Sequence, residues 1–307
     1  MAGSEKKRSR TVSKNAAQET RAAYLFLTPA LVGLSVLTYG PLLAVFILGF
    51  FNWRGALAPS FIGLGNYIRL FTTDPYFTDS LKVTAYFSVV SVIGSMIYSL
   101  AVAMLLNRKI PARGFFRAVF YLPYILPAVA VYIGWSWLYE SNFGLFNYLL
   151  NLIGLNKVNF IADSRLVVPS LALIAVWLSG NLIVIFLAGL QNVPRVYHEA
   201  AMIDGANAWQ RFRHVTIPSM TPIIFYNLLM SLITNLQVVT PALALTNGGP
   251  GNSSMFITYL MYRYAFKSSQ LGYASAISFV FFIIAAVFTA IVFATSKSWV
   301  FYEGGEK

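Results

Sequence analysis

The chain has few charged residues and contains no cysteine. Of its 307 residues, 10% are charged and 58% are hydrophobic, whereas soluble domains carry about 25% charged residues and at most about half apolar ones. The mean hydropathy is +0.66. The lack of cysteine excludes disulfides and metal sites built on thiolates. This composition predicts a membrane protein.

Several chemical signatures are also missing. No charged residue lies well inside a long apolar run, and Glu140 sits only at the edge of one, which disfavours a proton-coupled or ion-coupled transporter. His198 and His214 share one polar loop, so no apolar run pairs a serine with a histidine, which disfavours an intramembrane protease. The GxxxxGK[ST] phosphate loop is absent. Any energy from ATP must therefore come from another subunit.

Six apolar runs have about the 20 residues that a helix needs to cross a bilayer. They are residues 24–51, 83–106, 118–139, 167–190, 220–243 and 274–295. Pro123 and Pro127 predict a kink in the third run. We therefore predict an all-α membrane protein in which a six-span domain, 23–297, lies between a mobile tail at 1–22 and a short tail at 298–307.

The basic residues predict how these spans are oriented. With the N-terminus inside, the tail and the 107–117, 191–219 and C-terminal segments hold most of the 22 Lys and Arg residues. Basic residues mark the cytoplasmic side of a membrane protein, so both termini are predicted to be cytoplasmic. The net charge of +12 then reflects topology, and it requires no nucleic-acid partner. The apolar stretch 255–266 is too short to span, and we expect it to lie in the interface or to re-enter the external cavity.

The polar stretch 194–218 reads PRVYHEAAMIDGANAWQRFRHVTIP. Pro194 suits the first turn of a helix, apolar residues then recur at i, i+4 and i+7, and Gly205 suits the left-handed end of a helix. A second short helix is predicted after Asn207, and Pro218 introduces the next segment. The pattern predicts a helix–glycine–helix elbow. An ordinary connecting loop with a solvated Glu199 is the alternative.

The residues Glu199-Ala200-Ala201, followed by Gly205 and Ile217-Pro218, resemble the EAA loop of permease subunits in bacterial binding-protein-dependent ABC importers. The segments FIGLGNYIRLF, TNGGPGNSS and GYASAIS are similar to segments of the sugar-importer branch of that family. The resemblance covers most of residues 24–297. It implies the type I ABC importer permease fold in the bacterial inner membrane, with no enzymatic activity in this chain.

The resemblance also implies partners and site residues. In the family, the loop docks into a groove of the ATP-hydrolysing subunit, which gives an ATPase-coupling role to Glu199, Ala200, Ala201, Asp204 and Gly205. The implied partners are a homodimer of ATP-binding subunits that holds ATP and Mg, a second homologous permease and an external solute-binding protein. No cofactor is expected on this chain itself.

Uncharged polar residues inside the spans are candidates for a sugar pathway. Asn181 lies in the fourth run, and Asn235 and Gln237 lie in the fifth, where many relatives carry an acidic residue. Amides of this kind also stitch helices together, at about 0.6 kcal/mol per bond. A glycerol phosphate pathway would favour Arg or Lys and a polyamine pathway would favour carboxylates; both solutes stay alternatives, as does an ATP-independent channel or a secondary transporter.

Overall fold

Helices make up most of the protein. The computed structural model describes residues 14–56 and 58–301, with side chains from residue 18 onward. The helices are α1 (Lys14–Leu34), α2 (Gly40–Leu48), α3 (Gly65–Thr72), α4 (Phe77–Asn107), α5 (Arg113–Ile125), α6 (Ala128–Leu138), α7 (Leu145–Leu152), α8 (Val167–Trp177), α9 (Gly180–Asn192), α10 (Arg195–Ile203), α11 (Ala208–Arg211), α12 (Ile217–Leu236), α13 (Ile257–Tyr262) and α14 (Leu271–Ser296). Short π-helical turns lie at Ser35–Tyr39, Phe212–Thr216, Ala242–Thr246 and Arg263–Lys267, and β1 (Phe51–Asn52) pairs with β2 (Ser60–Phe61).

The described residues form four to six membrane spans. Four continuous helical runs are long and apolar enough to cross a bilayer, namely Gln18–Leu48, Phe77–Asn107, Ala208–Leu236 and Leu271–Ser296. Two further spans arise if each bent pair counts as one, because α5 and α6 meet at 100° and α8 and α9 meet at 49°. These runs coincide in position with the six predicted apolar stretches. The chain is a multi-pass membrane protein.

The structure corrects the predicted tails at both termini. The first helix begins at Lys14, inside the tail predicted for 1–22, because the lysine, alanine, glutamine and glutamate that follow are good helix formers. Residues 1–13 lie outside the described part. At the other terminus, the backbone N–H of Phe301 donates to Thr221 Oγ1 at 2.9 Å, so 298–301 folds back on α12. Residues 302–307 lie outside the described part.

Two interior predictions are also corrected. α12 ends at Leu236 rather than at 243, because three β-branched residues and then Pro241 follow Gln237 and disfavour a helix. The 255–266 stretch is mostly buried within the protein, and only its last residue, Phe266, is largely exposed. Its helix α13 packs against α4 and α14, and Ile257 and Leu260 are 0% exposed. This short helix belongs to the protein core.

Helix α4 is the centre of the bundle, and small hydroxyl residues line its buried face. They recur every three or four residues and are Ser80, Thr84, Ser88, Ser91, Ser95 and Ser99. Helices α8, α9 and α12 pack against this face. Small residues let membrane helices approach closely where no hydrophobic effect drives them together. Ser99 Oγ lies 2.9 Å from Ser179 Oγ, which ties α4 to the start of α9.

The bundle has two distinct ends. At the elbow end, Leu106, Phe186, Val193 and Met220 form an apolar cluster below the polar stretch 194–218. At the hairpin end, which carries β1 and β2, Asp74 accepts hydrogen bonds from Tyr264 Oη at 2.8 Å and from Tyr273 Oη. Burial and the contact with Asp74 raise the pKa of Tyr264 to about 12. Tyr264 therefore keeps its proton. Because Asp74 accepts from both tyrosines, its loop and the turn that contains Tyr264 are tied to Tyr273 on α14.

We expect close packing at Gly180 to limit stability. A Cβ there would lie 2.8 Å from the carbonyl oxygen of Phe120 on α5, and overpacking costs about 1–3 kcal/mol. Gly180→Ala should therefore lower the temperature at which the purified chain aggregates, as followed by size-exclusion chromatography after heating. Gly134→Ala is the matched control, because no heavy atom lies within 4 Å of its new Cβ. Equal stability of the two variants would contradict this packing.

Candidate functional site

A cavity of about 490 Å³ lies beside α4 at the point where three helices are interrupted. The break between α5 and α6 contributes Leu126, the break between α8 and α9 contributes Leu178 and Ser179, and the end of α12 contributes Gln237. Irregular backbone is tolerated at membrane depth only where it is buried in protein or lines a water-filled cavity. The position of the cavity is therefore explained by the helix breaks.

Three predicted amide residues line this one cavity. They are Asn181 from the start of α9, Asn235 from the last turn of α12 and Gln237 directly after it. The Nδ2 group of Asn235 donates to the backbone carbonyl of Ser231 at 2.8 Å, which fixes the side chain. Within the described part of the chain, the Asn235 oxygen and the amides of Asn181 and Gln237 have no hydrogen-bond partner. These groups are free to bond a polar ligand, and their role in a pathway stays a prediction.

The rest of the lining is hydroxyl-rich and uncharged. Its polar members, besides the three amides, are Ser95, Tyr124, Tyr132, Ser179, Ser231, Thr234 and Thr240. None of the described residues that line the cavity is charged. Neutral amides and hydroxyls together with aromatic rings suit a neutral polyhydroxylated solute. A phosphate would require arginine or lysine at this place.

Sequence reasoning missed some of the residues that line the cavity. Tyr124 and Tyr132 flank the proline break and could have been inferred from it, whereas Ser179 carries no signal beyond the Ser-Gly pair. Trp135 does not reach the cavity but packs against Trp177 at 5.6 Å. Asn227 is 0% exposed and donates to the carbonyl of Leu182 at 3.4 Å. This hydrogen bond joins α12 to α9.

The first arm of the elbow is α10, which begins after Pro194 and ends at Ile203, two residues before Gly205. The residue Gly205 has φ +79°, a left-handed conformation that glycine adopts without a Cβ penalty. The N–H of Ala206 donates to the carbonyl of Ala201 at 2.9 Å, and the N–H of Gly205 donates to that of Met202 at 3.1 Å. This pair of bonds is the Schellman motif. The predicted glycine turn is present.

The second arm starts in a capping box. Asn207 Oδ1 accepts from the N–H of Gln210 at 2.9 Å, and Gln210 Oε1 accepts from the N–H of Asn207 at 2.7 Å. Arg211 Nη1 donates to the carbonyl of Ala206 at 2.7 Å and so braces the turn from the other side. A capping box satisfies backbone donors that a helix start otherwise leaves open. The elbow is therefore fixed by its own hydrogen bonds.

The outer surface of the elbow is largely exposed in the part of the chain that the structure describes. Ile203 is 86% exposed and Trp209 is 64% exposed, and Glu199, Ala200 and Asp204 are exposed as well, whereas Ala201 is half-buried. Among the described residues Glu199 has no cation within 4.0 Å, since the single salt bridge there is Lys82–Asp79. An exposed apolar surface beside the carboxylates Glu199 and Asp204 is typical of a surface that contacts another protein, and the coupling role of the elbow stays a prediction.

Both arms of the elbow lead directly to the cavity. Pro218 does not start a separate segment as predicted, because the helix runs without interruption through a π-helical turn at Phe212–Thr216 into α12. This continuous run, Ala208–Leu236, has 29 residues and is roughly 40 Å long. Its far end carries Asn235. The other arm joins α9 through Val193 and Pro194, and the first turn of α9 carries Asn181, so both arms are connected along the chain to residues that line the cavity.

Comparisons with known proteins agree on one family. Residues 92–299 match the binding-protein-dependent transport system inner membrane component family. The probable ABC transporter permease protein YesP of Bacillus subtilis (strain 168) is 37% identical over 98% of this chain and 97% of its own length. The trehalose/maltose transport system permease protein MalF of Thermococcus litoralis is 30% identical over 91% of this chain and 95% of its own length.

A solved structure agrees in fold. The match is to the crystal structure of a bacterial alginate ABC transporter in complex with an alginate pentasaccharide-bound periplasmic protein, with a TM-score of 0.79. It covers 94% of this chain and 97% of the matched chain at 20% sequence identity. At that identity the match establishes the shared helical architecture only. The fold predicted from the resemblance is thus confirmed at the level of architecture.

We expect the residues that line the cavity to be accessible to water. The chain contains no natural cysteine, so one introduced thiol reports on a single position. Asn235→Cys should react with a water-soluble maleimide at least about ten times faster than Asn227→Cys, because thiol modification follows exposure. The two positions share a helix and a residue type and differ in burial. Equal labelling in native membranes would contradict the assigned cavity.

Proposed function

The chain belongs to the binding-protein-dependent transport system inner membrane component family, and on this premise we propose that it is a permease subunit of an ATP-driven importer for a neutral sugar or oligosaccharide. With a second homologous permease it forms the passage across the cytoplasmic (inner) membrane. Two ATPase subunits, which hold ATP and Mg, drive the passage, and an external binding protein delivers the solute. The observation that carries the proposal is an uncharged, amide-lined cavity joined by one helix to an exposed elbow.

The proposed topology has six spans, with the elbow end and both termini in the cytoplasm. Each bent helix pair then crosses the membrane once. The basic residues at the elbow end are Arg108, Lys109, Arg113, Arg117, Arg195, Arg211, Arg213 and Lys297. Within residues 107–117 and 191–219 the only carboxylates are Glu199 and Asp204. This excess supports the orientation, because basic residues are retained on the cytoplasmic side.

A sugar is the solute that the cavity chemistry favours. Its hydroxyl groups match the free amides of Asn181, Asn235 and Gln237, and its C–H faces match the rings of Tyr124 and Tyr132. The relative from Thermococcus litoralis is named for trehalose and maltose, which supports the same class. Glycerol phosphate and polyamines are less suited, because the described lining offers no charge to either. An ATP-independent channel would not need the exposed elbow surface, because it binds no ATPase subunit.

The elbow transmits the energy of ATP hydrolysis in this proposal. The exposed carboxylate of Glu199 pairs with a basic residue in a groove of the ATPase subunit, while Ala200 and Ala201 permit close approach and Asp204 and Gly205 form the turn. Closure of the two ATPase subunits moves the groove and the elbow with it. The rigid run through α12 carries this movement to the cavity, which alternates between outward and inward access. This chain performs no covalent chemistry.

Charge reversal at Glu199 tests the proposal. In a pull-down from membranes followed by mass spectrometry, the natural chain should retain an ATPase and a second permease. Glu199→Lys should lose the ATPase and abolish solute uptake, because two cations would then face each other in the groove. Glu19→Lys, an exposed carboxylate on α1, controls for the change in net charge.

The outcomes of this experiment separate the alternatives. If the Glu199→Lys variant takes up solute and retains the ATPase as well as the natural chain does, the docking role of the elbow is overturned. Recovery of the natural chain alone, without an ATPase, would instead favour a channel or a secondary transporter. Insertion of each variant is checked by its amount in washed membranes, so a loss of uptake is not confused with a loss of protein.

The glycine turn offers a second test with a closely matched control. Gly205 and Gly154 have φ +79° and +76°, and no atom lies within 4 Å of a Cβ at either position. Valine at either site carries a similar backbone penalty of about 1–2 kcal/mol, but only Gly205 lies in the elbow. Gly205→Val should reduce uptake severalfold, whereas Gly154→Val should leave it near the natural level. Equal uptake by both variants would contradict a coupling role for the turn.

A further inference from the structure

Two arginines at the elbow end converge on a single neutral amide. Arg113 and Arg117 lie one turn apart on α5, and each is half-buried. With the Gln191 amide turned so that its oxygen faces them, that oxygen accepts from Nη2 of both arginines, each at 3.0 Å. The two guanidinium groups are therefore no more than about 6 Å apart, a distance at which like charges repel.

No counter-charge offsets this repulsion within the described part of the chain. Neither arginine has a carboxylate within 4.0 Å there. The Nε atoms of Arg113 and Arg117 are both buried and have no hydrogen-bond partner. A buried donor on a charged group is costly when it is left unpaired, and a guanidinium fork is the geometry that binds phosphate oxygens. The two guanidinium groups together suit an anion that carries phosphate oxygens.

The surroundings of the arginine pair identify the kind of anion. A groove of about 200 Å³ runs from Arg117 and Gln191 along α9. Apart from these two polar residues its walls are apolar or aromatic, formed by Leu106, Tyr121, Gly180, Ile183, Val184, Leu187 and Ala188. These residues belong to helical runs apolar enough to span a membrane. One end of the groove thus presents positive charge, and the remainder presents an apolar wall.

We propose that this groove binds one anionic phospholipid. Its phosphate lies between Arg113 and Arg117, and one acyl chain follows the apolar wall formed by α9. Basic pockets between membrane helices recognise lipid headgroups by this combination of charge and apolar contact. A free phosphate ion would use the arginines alone and would leave the apolar wall without a function. The proposal concerns a lipid site separate from the cavity that contains Asn181.

Lipid retention by the purified transporter is the direct test. The full complex is exchanged into detergent, supplied with phosphatidylglycerol or with phosphatidylethanolamine of the same acyl chains, and measured by native mass spectrometry. We expect the natural protein to retain phosphatidylglycerol preferentially. The double variant Arg113→Gln/Arg117→Gln should reduce that retention by about thirty-fold. The control Arg108→Gln/Lys109→Gln removes the same charge from two exposed neighbours and should retain the lipid.

Each other outcome would overturn the proposal. An equal loss in both double variants would indicate diffuse attraction by the basic loop, and equal retention of both lipids would indicate apolar contact alone. Displacement of the lipid by inorganic phosphate at millimolar concentration would identify a site for the free ion. If the Arg113→Gln/Arg117→Gln variant does not fold, Arg113→Lys/Arg117→Lys replaces it. That variant keeps both positive charges but removes the two-pronged guanidinium groups, and it should still reduce lipid retention. Unchanged retention in that variant would equally count against the site.

Discussion

The structure depends on one constraint, which is that every backbone N–H and C=O at membrane depth must find a partner or line a wet cavity. The three helix ends at Leu126, Leu178 and Gln237 meet this constraint at one place, because all three line the same cavity. Collecting the breaks in one place leaves the other helical runs continuous. It also concentrates polar backbone and side-chain groups where a polar solute would pass.

Close packing keeps these breaks together. The hydroxyl residues on α4 and the bare Cα of Gly180 allow α5, α8, α9 and α12 to approach one another. Larger side chains would separate the helices and open the cavity to lipid. The packing residues therefore act on the site without contacting a solute, and Asn227 does the same by bonding α12 to α9.

Local sequence patterns predicted features that depend on local chemistry. The elbow follows from Pro194 and Gly205, and the kinked third run follows from two prolines, since these residues restrict the backbone wherever they stand. The break at Ser179 has no proline and carries only a Ser-Gly pair, a weaker signal, and it was not predicted from the sequence. The burial of α13 was missed because its partner α4 lies far away in the chain.

Two asparagines on α12 have different roles. Asn227 and Asn235 are eight residues apart, which turns them by about 80° around the helix axis, so one faces α9 and the other faces the cavity. A rotation of α12 driven from the elbow would move Asn235 relative to Asn181, which is carried by α9 and the first arm. Because the two amides are attached to opposite arms of one rigid turn, a displacement of that turn changes the shape of the cavity between them.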